Sequence, residues 1–120
     1  MDNENIRVLI AEPDSDVRRT VVRILVKFLS FAEANIVEAI GNQALAELKK
    51  REFDIVITCN RLGMGLTGVD LINEVKKLNG QSKIIMISGG EKPSLPQGVI
   101  FFPKPFKVEE FKKVIEEALI

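Results

Sequence analysis

Short runs of apolar residues alternate along the chain with stretches in which apolar residues recur every three or four positions. Apolar runs rich in β-branched residues are typical of buried parallel strands, and the longer recurrence is typical of helices with one buried face. Because the two patterns alternate, the sequence predicts βαβ units and an α/β fold with a largely parallel sheet covered by helices on both sides. The predicted strands are residues 7–11, 35–39, 53–59, 83–88 and 99–102.

Helical periodicity occurs in four segments between and after these strands. The second predicted helix covers residues 42–51 and should bury Leu45 and Leu48, the third ends near Leu78, and the last begins near Val108. Such spacing places the apolar side chains on one side of each helix. The predicted apolar face of the first helix consists of Val17, Val21, Ile24, Leu25, Phe28 and Leu29.

Local signals mark where two of the helices begin. Asp14 or Ser15 can cap the first helix, because a short side chain with an oxygen accepts a hydrogen bond from a free N–H of the first turn. Thr67 and Asp70 match a capping box at the start of the third helix. The loop before it is rich in glycine, but no Gly-Lys-Ser/Thr follows, so a nucleotide-binding loop is not predicted.

The segment between the fourth and fifth predicted strands departs from the alternation. It reads Gly-Gly-Glu-Lys-Pro-Ser-Leu-Pro-Gln-Gly, with Pro93 and Pro96. Each proline removes a backbone donor and restricts the residue before it, and glycine disfavours helix. The helix expected here in a regular βα repeat, within residues 91–97, should therefore be missing or about one turn long.

Composition indicates one soluble globular domain spanning residues 1–120. Of the 120 residues, 46% are hydrophobic and 28% are charged, which is far from the composition of disordered chains. Seventeen basic residues balance seventeen acidic ones, so the positive charge typical of nucleic-acid binding is absent. No apolar run reaches membrane-spanning length, and no basic segment leads into an apolar one at the start. We therefore expect no membrane contact and a cytoplasmic location.

The chain contains one cysteine and no histidine. An internal disulfide is therefore excluded, and so is any catalytic or metal site that depends on imidazole. The remaining candidate functional residues lie at the ends of the predicted strands. In open parallel sheets, ligands bind at the carboxyl ends of the strands. The residues that follow or end the first, third, fourth and fifth strands, and that should converge there, are Glu12 with Pro13, Cys59, Ser88 and Lys104.

These strand ends resemble those of the receiver domains of bacterial two-component response regulators. The resemblance covers essentially the whole chain, and it includes the loop from Arg61 to Leu71 after the third strand. It implies a flavodoxin-like, doubly wound (βα)5 fold with strand order 2-1-3-4-5, and a cis peptide bond between Lys104 and Pro105. The stretches that carry it are Ile10-Ala11-Glu12-Pro13, Asp54-Ile-Val-Ile-Thr-Cys59, Ile87-Ser88-Gly89 and Phe101-Phe-Pro-Lys104-Pro105-Phe106.

The resemblance also implies a set of roles that this chain fills only in part. Receiver domains transfer a phosphoryl group to an aspartate with the help of Mg²⁺ held by an acidic pair and the acceptor. Ser88 and Lys104 match the residues that hold the phosphoryl oxygens, and Glu12 matches the first acid. Pro13 stands where the second acid is expected, and Cys59 stands in the place of the acceptor.

These substitutions change the expected metal chemistry. Mg²⁺ prefers hard oxygen ligands, and a thiol is soft, so we expect no metal and no cofactor here. The residual candidates for a metal ligand are Glu12 and Asp14, and Asp14 is better placed to cap the first helix. Without an acceptor carboxylate beside it, Lys104 is predicted to form an ion pair with Glu12.

The predicted function is therefore a non-enzymatic protein-interaction module of two-component or phosphorelay signalling, independent of aspartyl phosphorylation. Its partner would be a histidine kinase, an output domain or another signalling protein. Phe101 matches the family's switch aromatic, and a fixed docking face is predicted from Phe101, Phe102 and the last helix, with the first helix as a different face.

Four other interpretations concern the position of Cys59. The chain could be a phosphorelay receiver with an unusual acceptor, or a redox sensor in which Lys104 lowers the pKa of the Cys59 thiol. The alternative without a chemical role is a buried, unreactive thiol. A phosphatase using Cys59 is disfavoured, because Gly65 stands where the Cys-x5-Arg loop requires arginine.

Overall fold

Five parallel strands form the central sheet in a computed structural model that describes residues 3–90 and 92–119. Residues 1, 2, 91 and 120 of the predicted domain lie outside the described residues. The strands are β1 (Val8–Ala11), β2 (Ile36–Ala39), β3 (Ile55–Thr58), β6 (Lys83–Ser88) and β7 (Ile100–Pro103), and β4 and β5 form a separate hairpin. The strand order is β2-β1-β3-β6-β7, so the predicted order 2-1-3-4-5 of the sheet strands is confirmed.

Helices cover both faces of this sheet. Successive side chains of a strand point to opposite faces, so strands that are apolar throughout bury both faces. The helices are α1 (Ser15–Arg23), which continues as a π-helical turn (Ile24–Phe28), α2 (Asn42–Lys50), α3 (Gly68–Leu78) and α4 (Val108–Ala118), with a 3-10 turn at Glu33–Asn35. One core cluster joins the sheet to α1 and α4 through residues such as Val21 and Phe111, and the other joins it to α2 and α3 through Ala44 and Leu71.

Several predicted helix faces are wrong in detail. In α2 the fully buried residue is Ala44, whereas Leu45 and Leu48 are only partly buried against the core. Phe28 is 51% exposed because the π-helical turn has more residues per turn than an α-helix and rotates this side chain outward. There its ring lies 5.4 Å from the Lys112 ammonium. Leu78, in the last turn of α3, is 45% exposed.

The predicted loss of a helix between the last two sheet strands is confirmed. The described residues between β6 and β7, which are 89, 90 and 92–99, contain no helix, and Glu91 lies outside them. Leu95 and Val99 pack against the core cluster beneath α2 and α3. A segment without regular secondary structure, which contains Pro93 and Pro96, therefore packs on the core where a helix would otherwise lie.

A small hairpin follows β3 that the sequence analysis missed. Its strands are β4 (Arg61–Gly63) and β5 (Leu66–Thr67), and Leu62 anchors it in the core at 2% exposure. Met64 and Gly65 form the two-residue turn with φ of 54° and 78°, the backbone of a type I′ turn. Met64 is 98% exposed at the tip. The predicted glycine-rich loop is thus an ordered hairpin.

The start of α3 lies directly against the end of β3. The Gly68 N–H donates to the Asn60 carbonyl at 2.7 Å, and the predicted capping box of Thr67 and Asp70 is present. A Cβ at Gly68 would lie 2.2 Å from the Cys59 carbonyl oxygen and 2.6 Å from the Met86 Cε. Only glycine permits this approach, so Gly68 fixes how the hairpin and α3 pack around Cys59.

We expect Gly68→Ala to lower the free energy of unfolding by about 2 to 3 kcal/mol, because the backbone of Cys59 has to move away from the added methyl group. Gly80→Ala is a matched control, since a Cβ there would be 3.7 Å from the Lys76 carbonyl oxygen, an ordinary contact. Its effect should stay below about 1 kcal/mol. Urea unfolding of both variants measures the difference. Equal losses would contradict the close contact at Gly68.

Candidate functional site

A cleft lies at the carboxyl ends of the strands, where the sequence places the candidate residues. It encloses about 690 Å³. Glu12, Cys59, Ser88 and Lys104 all line it, as predicted, whereas Pro13 is exposed and does not. The other lining residues are Asn60, Arg61, Gly89, Gly90, Lys92 and Pro93.

An ion pair occupies the base of the cleft. The Lys104 ammonium lies 2.6 Å from Glu12 Oε1, which confirms the predicted pair. The second oxygen of Glu12 accepts the Asp14 N–H at 3.0 Å. The side chains of Glu12 and Lys104 are only 6% and 25% exposed. Both oxygens of Glu12 are therefore already bound.

The backbone around Lys104 holds this side chain over the cleft. Its N–H donates to the Ser88 carbonyl at 2.9 Å, which extends the pairing of β7 with β6. The Lys104–Pro105 peptide bond is cis, as the resemblance implies. The chain turns here, and the Lys104 side chain reaches Glu12 at the end of β1.

Asp14 caps α1, as predicted. Its carboxylate accepts the N–H of Asp16 at 2.9 Å and that of Val17 at 3.3 Å. Arg18 fixes the same turn, since its guanidinium donates to the carbonyl of Glu12 at 2.8 Å and to that of Pro13 at 3.2 Å. Asp14 is thus held at the start of α1 and does not line the cleft.

Cys59 follows β3 directly and is 5% exposed. Its thiol donates to the Arg61 carbonyl at 2.9 Å. The pKa of this thiol is raised to about 12, mainly by burial and then by the negative charge of Glu12, while Lys104 acts in the opposite direction. The expected influence of Lys104 is therefore present, but burial outweighs it. The thiol remains protonated at neutral pH, which favours the inert interpretation over a reactive thiolate.

Ser88 and Phe101 occupy the predicted positions with ordinary contacts. Ser88 is 8% exposed, and its hydroxyl accepts the Gly90 N–H at 3.4 Å. Phe101 is partly buried against the core cluster beneath α2 and α3. A strand-end hydroxyl and a half-buried aromatic explain both residues without reference to chemistry.

Phe102 cannot contribute to a docking face, so this prediction is wrong. It is 8% exposed, because alternation along β7 directs it to the core beneath α1 and α4. Its ring centroid lies 5.5 Å from that of Phe106 and 5.6 Å from that of Phe111. These three aromatic rings form part of the core.

The residues of the cleft do not fit Mg²⁺. Within residues 3–90 and 92–119, no group of three or more side chains from His, Cys, Asp and Glu is placed to hold a metal ion. Glu12 forms an ion pair with Lys104, and the Cys59 thiol is a soft ligand that is protonated at neutral pH. An ion that requires several hard oxygen ligands therefore lacks them here.

Two cations at the rim were missed by the sequence analysis. Arg61, at the start of β4, and Lys92, in the segment before β7, both line the cleft and are exposed. The signal available was proximity in sequence, since Arg61 follows Cys59 by two positions and Lys92 follows Ser88 by four. Their convergence depends on the hairpin and on the missing helix.

The architecture is that of known receiver domains. Over 95% of this chain, it is similar to a two component transcriptional regulator AraC from Clostridium phytofermentans (22% identity, 91% of that chain, TM-score 0.79). It is also similar to the receiver domain from the hybrid histidine kinase CckA, with 25% identity over 95% of this chain and 99% of that chain and a TM-score of 0.73. A third similar structure is the signal receiver domain of an HD domain-containing protein from Pseudomonas fluorescens, with 20% identity over 95% of this chain and 94% of that chain and a TM-score of 0.78. The chain thus has the fold of a receiver domain.

The receiver fold is found by comparison of structures and not by comparison of sequences. No family model and no curated protein matches the chain. Among the described helices, none combines the length and the apolar character that crossing a membrane requires.

We expect Glu12→Gln to lower the free energy of unfolding by about 1 to 3 kcal/mol, because the largely buried Lys104 ammonium loses its counter-charge. The control is Glu38→Gln, which removes an ion pair with Arg18 at 3.1 Å in which Glu38 is 45% exposed. That change should cost less than about 1 kcal/mol. Denaturant unfolding compares the two, and adding Lys104→Gln to Glu12→Gln should recover part of the loss. A loss no larger than that of the control would argue against the importance of the buried pair.

We expect the alkylation rate of folded Cys59 to rise with pH without levelling between about pH 7 and about pH 10, because its pKa is well above the ordinary value. Thiolate increases about tenfold per pH unit below the pKa. In urea-unfolded protein the rate should level near the ordinary pKa of 9.0. Iodoacetamide labelling followed by mass spectrometry gives both profiles. A plateau below pH 9 in the folded protein would show a thiolate that this structure does not stabilise.

Proposed function

We propose that this receiver domain is a protein-interaction module of a two-component or phosphorelay system and works without phosphorylation of an aspartate. The observation that carries the proposal is the buried, protonated thiol of Cys59 at the place of the acceptor. A neutral thiol supplies neither a carboxylate to accept a phosphoryl group nor a ligand suited to Mg²⁺.

The state of the surrounding residues supports the same proposal. Lys104, which would hold phosphoryl oxygens, is paired with Glu12, and Pro13 provides no acid. The segment before β7 lacks a helix in its described part. In the family, the corresponding helix belongs to the face that rearranges on phosphorylation. We therefore expect this chain to lack both the trigger and much of the moving part, so that contacts with a partner carry its function.

The similar structures support a proposal about the class of partner. The similar structures include a transcriptional regulator and the receiver domain from a hybrid histidine kinase. We propose that this domain binds a histidine kinase, an output domain or another signalling protein, that it is not an enzyme, and that it acts in the cytoplasm. The equal numbers of acidic and basic residues favour a protein partner over nucleic acid.

The alternatives at Cys59 have less support. A phosphorelay with an unusual acceptor needs another free carboxylate in the cleft, and Glu12 is paired while Asp14 caps α1. A redox sensor needs a thiolate, and the pKa of Cys59 is raised.

We expect no phosphate adduct on the native protein after incubation with Mg²⁺ and a small phosphodonor such as acetyl phosphate, because the cleft lacks an acceptor carboxylate and metal ligands. Pro13→Asp combined with Cys59→Asp should gain both Mg²⁺ binding and an adduct, and either change alone should gain less. Intact mass and Mg²⁺ titration by NMR are the measurements.

A peroxide-treated sample provides the matched redox arm of this experiment. The native protein should show no oxygen adduct under peroxide that oxidises the urea-unfolded protein. A phosphate adduct on the native chain would overturn the proposed function in favour of relay, and an oxygen adduct on the folded chain would overturn it in favour of redox sensing.

A further inference from the structure

The cleft carries positive charge that no ion pair within residues 3–90 and 92–119 neutralises. Lys104 is paired with Glu12, and the Cys59 thiol is uncharged at neutral pH. Arg61 and Lys92 remain. Both are exposed, and neither forms an ion pair with any residue in 3–90 or 92–119. Although the net charge of the chain is zero, this cleft is thus lined by two cations that form no ion pair within the described residues.

An apolar cleft adjoins this cationic one. It encloses about 580 Å³ between the start of α1 and the loop before α4, and it shares Gly89 and Lys104 with the first cleft. Its apolar wall is formed by Val17, Pro105 and Phe106. Asp16 is the acidic residue lining it, and its carboxylate lies 3.9 Å from the Arg19 guanidinium. The two clefts form one groove with a cationic end and an apolar end.

We propose that this groove binds an acidic segment of a partner protein, with a carboxylate held by Arg61 and Lys92 and a neighbouring apolar side chain against Val17 and Phe106. The inference rests on the proposed function and names the chemistry of the partner. Charge complementarity selects an acidic over a basic segment. A bare inorganic anion would use only the cationic end, so the adjoining apolar wall favours a peptide.

Three capped tripeptides test this inference on the intact chain. The probes are acetyl-Leu-Glu-Leu amide, acetyl-Leu-Gln-Leu amide, which lacks the charge, and acetyl-Gly-Glu-Gly amide, which lacks the apolar side chains. Each is titrated into isotope-labelled protein, and NMR follows the amides of Gly89 and Gly90 and the methyl groups of Val17. We expect saturable shifts at both ends of the groove with the first peptide, and weaker binding with the other two.

A pair of charge variants gives the matched protein control. Arg61→Gln with Lys92→Gln should weaken binding of the Glu-containing peptide about fivefold, since each exposed ion pair contributes modestly. Lys76→Gln with Lys113→Gln makes the same change in net charge at two exposed residues away from the groove, and it should leave affinity unchanged.

Each other outcome overturns the inference. Equal binding of the Glu and Gln peptides would mean apolar contact only. Inorganic phosphate binding as tightly as the first peptide, without shifts at Val17, would mean an oxyanion site only. No saturable shift with any probe would exclude the groove as a peptide site. These titrations do not depend on whether the protein forms a phosphate adduct. The proposed function and this inference can therefore fail independently.

Discussion

The buried ion pair between Glu12 and Lys104 determines the chemistry of the cleft. It joins the loop after β1 to the loop after β7, although β3 and β6 lie between these two strands in the sheet. Desolvation makes either charge costly on its own, so each side chain holds the other in place. By the resemblance, Lys104 stands at the position of the lysine that holds phosphoryl oxygens in receiver domains, and Glu12 at the position of an acid that helps to hold Mg²⁺.

This pairing reverses the electrostatic character expected of the site. A cluster of carboxylates attracts cations. A cleft whose floor has no net charge, and which Arg61 and Lys92 also line, attracts anions. The Cys59 thiol contributes to the change because burial keeps it protonated. Gly68 makes that burial possible, since α3 could not approach the Cys59 carbonyl if the residue carried a Cβ.

The sequence was sufficient for the features that depend on periodicity and strand ends. The strand order implied by the resemblance, the Asp14 cap and the Glu12–Lys104 pair are all confirmed. The hairpin was missed because Met64 adopts φ of 54°, a conformation that a non-glycine side chain seldom signals in sequence. The exposure of Phe28 depends on a π-helical turn, which periodicity alone does not reveal. In both cases, a local backbone conformation that the residue pattern does not encode was decisive.

The same features favour binding without a switch. Leu95 and Val99 pack the segment before β7 against the core, and its two prolines restrict the backbone. Lys104 at the junction of the two clefts is held by Glu12 and by the Ser88 carbonyl. A groove whose base is already ordered loses little conformational freedom when a ligand enters, so modest contacts at Arg61, Lys92 and the apolar wall can yield useful affinity. Regulation would then depend on the presence of the partner and on competition for the groove.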